Sequence, residues 1–156
     1  MIEDAWREVE GAAESRRKLA QGKLDEEAAL ELVEQSAIVI VPASRAALER
    51  MGKDELVEFD RILERKLYDI DRAEIQEHTD GSDDGFLYAR GFIVAAGQGY
   101  CDAVNKLPSR ALTDLECEEM CYVSFHVFAD KFGDMAHSDI SRETCSNKGG
   151  WPDIED

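Results

Sequence analysis

Residues 78–91, HTDGSDDGFLYARG, gather the side chains of this chain best suited to chemistry. Set against an EF-hand calcium loop, Asp80 takes position 1, Ser82 position 3, Asp84 position 5, Gly85 the required glycine at 6 and Leu87 the apolar position 8. Position 12 is Gly91, where the motif needs a bidentate glutamate, so two of about six to eight oxygen ligands are missing. Asp80, Ser82 and Asp84 are therefore a candidate site for weak cation binding only. The same stretch also suffices as a helix start. Ser82 would be the N-cap, Asp83 and Asp84 would face the positive end of the helix dipole, and Phe86 would enter the core. A cap needs nothing further, and it is the expected role. A third arrangement sets Asp83, Asp84, Tyr88 and Arg90 around a small polar ligand. A partly buried Arg90 needs an acidic partner, and Asp83 or Asp84, just upstream in the sequence, is the expected one.

Other constellations are weaker. His78 could join Asp80 on a transition metal, but reads more simply as an exposed loop histidine. Cys117 and Cys121, with His126 and His137 downstream, invite a zinc site. His126, however, lies about 140° around a helix from Cys121, so the three do not share a face, and the cysteines read as small core residues. Cys101, Cys117, Cys121 and Cys145 form no C-x-x-C pair and are expected as free thiols. The chain has no G-x-S-x-G elbow, H-E-x-x-H, Walker loop or dinucleotide-binding glycine pattern. With acids this abundant, a close carboxylate pair arises by chance and supports no glycosidase. No catalytic residue and no cofactor is assigned, and the balance leans against an enzyme.

Helical periodicity positions these residues almost throughout. Ile2, Ala5, Trp6, Val9 and Ala13 form one stripe on a first helix ending near Gly22. A second begins at Asp25, whose neighbouring acids suit a first turn. The run AIVIV, residues 37–41, has the β-branching of a strand, but no second strand is evident to pair with it. It is read as the buried end of the second helix. Ser44 is expected to cap a short helix closed by Gly52, and Asp54 to cap the next, where Leu56, Phe59, Leu63, Leu67 and Ile70 share a face. After the 78–91 stretch, Phe86, Ala89, Ile93, Ala96, Tyr100 and Val104 continue a stripe to Pro108. Within it Gly91, Gly97 and Gly99 imply close backbone packing or a kink. Thr113 with Glu116 has a capping-box pattern, and Cys117, Cys121, Phe125, Phe128 and Phe132 line a last helix stopped by Gly133. The expected fold is all-α: a single irregular bundle of five to six helices over 1–133, followed by an irregular acidic tail, 134–156, that Trp151 pins to the body.

The segment Gly81-Ser82-Asp83-Asp84-Gly85-Phe86, followed by Tyr88, Arg90, Phe92, Ile93, Val94 and Gly97, resembles the signature of the bacterial domain-of-unknown-function family 4240. Members of that family typically carry Cys-Ser-Asp-Asp-x-Phe, then Phe-Arg-x-Trp-Leu-Ile and a glycine. The resemblance extends from about residue 54, through Glu55, Phe59 and Asp69, to about 132. Gly81 stands in place of the usual cysteine, Phe92 and Asp71 in place of tryptophans, and Gln98 in place of an arginine, which marks a divergent member. The resemblance implies an all-helical fold and a bacterial source, and no mechanism.

Composition narrows the class of partner. The formal charge is −17, from 35 acidic against 18 basic residues, which repels nucleic-acid phosphates. No apolar run approaches the ~20 residues of a membrane span, and the acidic N-terminus does not read as a signal peptide. A cytoplasmic binding or regulatory protein is expected, acting on a protein partner of basic character, for instance by inhibiting it. The alternative is a metal- or small-ligand-dependent enzyme or sensor built on Asp80, Asp83, Asp84 and Arg90.

Overall fold

A computed structural model describes residues 1–79 and 82–152, and among them it contains nine α-helices and no strand. The helix count exceeds five to six because two of the anticipated helices are each cut by a glycine and a short helix at Ala73–Gln76 is added. The first becomes α1 (Ile2–Arg7) and α2 (Ala12–Ala20), separated by Gly11 at φ 76°. Asp25 caps α3 (Glu26–Gln35), its carboxylate accepting from the Ala28 N–H at 2.9 Å.

The AIVIV run is helical, as expected, but the chain does not stop at Pro42. A π-helical stretch, Ser36–Ile40, carries α3 directly into α4 (Val41–Leu48). Proline lacks an N–H and its ring clashes with the carbonyl four residues back, so a widened turn just before it relieves the conflict. Only part of the run is buried: Ile40 is enclosed while Ile38 is exposed. Ser44 lies buried inside α4 and caps nothing, which corrects that expectation.

Helix α5 (Lys53–Asp69) starts just ahead of the point that Asp54 was expected to cap. Gly52 is the N-cap, and the Glu55 carboxylate reaches back to accept its N–H at 2.8 Å, leaving Asp54 in the first turn. A short turn of helix, α6 (Ala73–Gln76), follows. Then α7 (Asp83–Ala95) runs through the centre, with nearly every residue after its first turn buried, and packs against α5 and α9 (Glu118–Phe132). At Gly97 the backbone turns through φ 102°, which only glycine adopts without strain, and α8 (Gln98–Lys106) leaves in a new direction. The carbonyls that α7 leaves open at this end are taken by the N-terminal helices: Trp6 Nε1 donates to Ala95 O at 2.7 Å and Arg16 Nε to Ala96 O at 2.6 Å.

Two further expectations need correcting. Thr113 and Glu116 do not start α9; the N-cap is Cys117, whose N–H bonds Tyr88 O at 2.9 Å, so contact with α7 fixes where the helix begins. Phe125 and Phe132 do not line the core either; both are exposed, and Met120, Val123 and Val127 take those places. Beyond Gly133 the described chain is irregular apart from one 3-10 turn at Lys148–Gly150, yet Met135, Arg142 and Trp151 are buried. No helix among the described residues is long and apolar enough to cross a membrane.

Candidate functional site

Helix α7 begins on Ser82, whose Oγ accepts the Gly85 N–H at 2.9 Å, with Asp83 and Asp84 exposed in its first turn. Replacing Ser82 by Ala should lower stability by about 1 kcal/mol, read as a shift in the denaturant midpoint with an unchanged slope. Asp80 lies outside the described residues. Among the described residues, no group of three or more His, Cys, Asp or Glu side chains is placed to hold a metal ion. Tyr88 is half-buried, and partial burial with the charges of Glu118 and Asp84 raises its phenol above the ordinary value.

Arg90 departs from these neighbours. It is fully buried, and its acidic partner is Asp71, at 4.0 Å, not Asp83 or Asp84. The aspartates sit at the exposed start of the helix, about two turns away, while the guanidinium turns toward the end of α5. There Nη1 donates to Leu67 O at 2.9 Å, Nη2 donates to Thr144 Oγ1 at 3.1 Å, and the guanidinium lies 4.8 Å from the centre of the Phe86 ring. Leu67 O is one of the carbonyls that the end of α5 leaves open, so Arg90 acts as part of its C-terminal cap. Burial lowers the guanidinium's pKa, and Asp71 works against that shift. Its Nε has no hydrogen-bond partner among the described residues.

Asp71 is occupied elsewhere. Its carboxylate accepts from the backbone N–H of Cys145 (3.1 Å), the N–H of Asn147 (2.9 Å) and Trp151 Nε1 (2.9 Å). The Trp151 ring meets Phe86 edge-on at 5.9 Å, and Asn147 Nδ2 donates to Tyr68 O at 3.1 Å. These contacts hold residues 138–151 along the body as a strap.

A second anchor lies nearer α9. Asp60 of α5, 1% exposed, accepts from Ser124 Oγ at 2.8 Å and, through both oxygens, from Arg142 Nη2 at 3.0 Å. Glu64, one turn on, lies 3.7 Å from Arg142 and 3.4 Å from Arg61, and accepts from Ser138 Oγ. Arg142 Nη1 donates to Cys121 O, and Arg61 Nη2 to Ala136 O. Beside these charges opens a cavity of about 350 Å³, bounded by Tyr122, Phe125, His137 and Glu143. Burial pushes the Tyr122 phenol up to about 12, with Glu143 adding to the shift. His126 stacks on Tyr122 at 6.0 Å and meets Phe125 at 6.2 Å, so an aromatic rim borders a floor of paired carboxylates and guanidinium groups. Cys117 and Cys121 are buried free thiols raised by desolvation to about 11 and about 12, so neither is a ready nucleophile.

The cleft was missed in the sequence although half of it is legible there. Leu56, Asp60, Leu63, Glu64, Leu67 and Asp71 follow helical spacing, so three acids stand on an apolar stripe, two of them in the cleft and Asp71 at the other strap anchor. Arg142, Thr144 and Trp151 lie in a segment without period and give no comparable signal. No characterised protein and no solved structure matches the chain. The model of a family described as "Protein of unknown function (DUF4240)" matches residues 24–130, from the end of the first helical pair through most of α9. That span is well over half the chain and includes Asp60, Glu64, Asp71 and Arg90, and the chain belongs to the DUF4240 family.

Proposed function

We propose that this protein is a cytoplasmic binding module that engages a basic segment of a partner protein in the cleft between α5, α9 and the strap. The observation that carries the reading is a cavity of about 350 Å³ whose floor holds two buried carboxylates, Asp60 and Glu64, already paired with Arg142 and Arg61, and whose rim holds Tyr122, an exposed Phe125 and Glu143. A cationic side chain entering there would meet aromatic faces before it reached the acids. Such faces attract Arg and Lys by roughly 0.5–2 kcal/mol, depending on desolvation. The overall charge of −17 would steer a basic partner and hold off nucleic acid. The alternative of an enzyme or sensor centred on the Asp80–Asp84 loop and Arg90 has less support, because the Arg90 guanidinium is engaged by Leu67 O, Thr144 and Phe86.

The test is titration calorimetry of the full chain with a hexa-arginine peptide at low and at physiological salt. Affinity should fall about tenfold or more as salt rises, because steering by exposed charge is screened over a Debye length. Phe125→Ala should lower affinity by about tenfold while leaving the melting temperature within about 1 °C, since the ring is 43% exposed and supports little of the core. Salt-independent binding, or binding indifferent to Phe125, would remove the proposal.

A further inference from the structure

The strap places a guanidinium where the proposed partner would place one. Arg142 enters from residues beyond the span that the family model matches and lies against both oxygens of Asp60, with Glu64 3.7 Å away. It enters between α5 and α9 from a segment with no helix of its own there, so it can withdraw without unwinding either helix.

Arg90 lies under the same strap with hydrogen-bonding capacity to spare. Its Nε is buried with no hydrogen-bond partner among the described residues, and Asp71 stands at 4.0 Å, outside hydrogen-bond distance. Asp71 is held there by three strap donors: the N–H groups of Cys145 and Asn147 and the indole of Trp151. If those three donors left, the carboxylate would need only to close on Arg90 to remain paired. The loss of Thr144 Oγ1 from Arg90 would be made good by the same movement. Release of the strap would thus exchange the three strap donors of Asp71 for Arg90, the kind of partner exchange that a two-state element uses.

We infer that residues 138–151 form a displaceable latch over a guanidinium site, filled by Arg142 when the latch is closed and by an arginine of the partner protein when it is open. This deepens the binding proposal above and rests on it. Arg142 is then a competitor in cis, and the affinity measured for any arginine segment is reduced by the fraction of chains that are latched.

The backbone amides of Cys145 and Asn147 report the latch directly, because both donate to Asp71. Hydrogen exchange of the full chain would be followed with and without saturating hexa-arginine, and again with hexalysine. The peptide should speed exchange at Cys145 and Asn147 by at least tenfold while amides in the middle of α7 stay protected. Trp151→Phe removes one donor to Asp71 without touching the lining of the Asp60 cavity, and should raise hexa-arginine affinity about threefold or more. Arg142→Ala, if it folds, should raise it further. Binding with both strap amides still protected would overturn the latch and leave the basic-partner proposal standing. Equal opening by hexalysine would overturn the guanidinium preference. Absence of binding in the wild type and in Trp151→Phe alike would overturn the partner proposal and this inference with it.

Discussion

Asp60→Ala is expected to lower the unfolding free energy by about 3–5 kcal/mol, the largest single effect at this site, because it leaves charge buried without its counter-charge. The carboxylate is 1% exposed and joins three parts of the chain: its own helix α5, Ser124 of α9 and Arg142 of the strap. Its removal strands the Ser124 hydroxyl, which is fully buried, and leaves the Arg142 guanidinium with Glu64 as its one acidic neighbour among the described residues, at 3.7 Å, beside the Cys121 carbonyl. The pair itself need not be a large net stabiliser, since desolvating both ions offsets most of their attraction. For that reason the double replacement Asp60→Leu with Arg142→Met should recover most of the loss, and the two single changes should be far from additive. Urea unfolding of the four proteins gives the answer. A double variant as unstable as the sum of the singles would show that the two residues act separately and that the distances misrepresent their coupling.

The residues that carry local structure were readable from the sequence, and those that carry the long-range polar contacts were not. Ser82 and Asp25 announce their helices because a cap is an interaction over three residues, written within one short segment. The all-α fold follows for the same reason, since helical periodicity is local. Breaks were harder. Gly11 looks like a glycine inside a continuous stripe, and although Gly91, Gly97 and Gly99 together imply close packing or a kink, only the packing of neighbouring helices decides that the chain turns at Gly97. Arg90 shows the limit most plainly. Its need for an acid follows from burial, but two acids in its own segment compete on paper with Asp71, and only the meeting of α7 with the end of α5 selects among them. The strap contacts span 74 or more residues between Asp71 and its donors, beyond any pattern of spacing. Three acids on the apolar stripe of α5 and just beyond it were the one local trace of the cleft, because a carboxylate kept at a core position implies a buried partner from elsewhere.

Gly91→Ala is expected to destabilise the protein by about 1–3 kcal/mol, although alanine is the better helix former by about 1 kcal/mol. The reason is the approach of α7 to α9. A β-carbon at position 91 would lie 2.3 Å from the Cys117 carbonyl oxygen and 2.6 Å from Cys121 Sγ. The sulfur can rotate only within a full core, and the carbonyl belongs to the residue that starts α9, so the helices themselves must move apart. That separation would stretch the bond from the Cys117 N–H to Tyr88 O, now 2.9 Å, and the contact between Cys121 Sγ and Leu87 O, now 3.4 Å. Gly99 supplies the control within the same protein. It lies in the first turn of α8, and a β-carbon added there would meet none of the described residues within 4 Å, so Gly99→Ala should leave stability unchanged or raise it by up to about 1 kcal/mol. Opposite signs for two identical substitutions, measured by thermal unfolding side by side, would separate close packing from intrinsic helix preference. If Gly91→Ala also stabilised the protein, α7 and α9 would have to sit further apart than these distances place them, and the position of α9 over Asp60 and Arg142 would have to be redrawn with them.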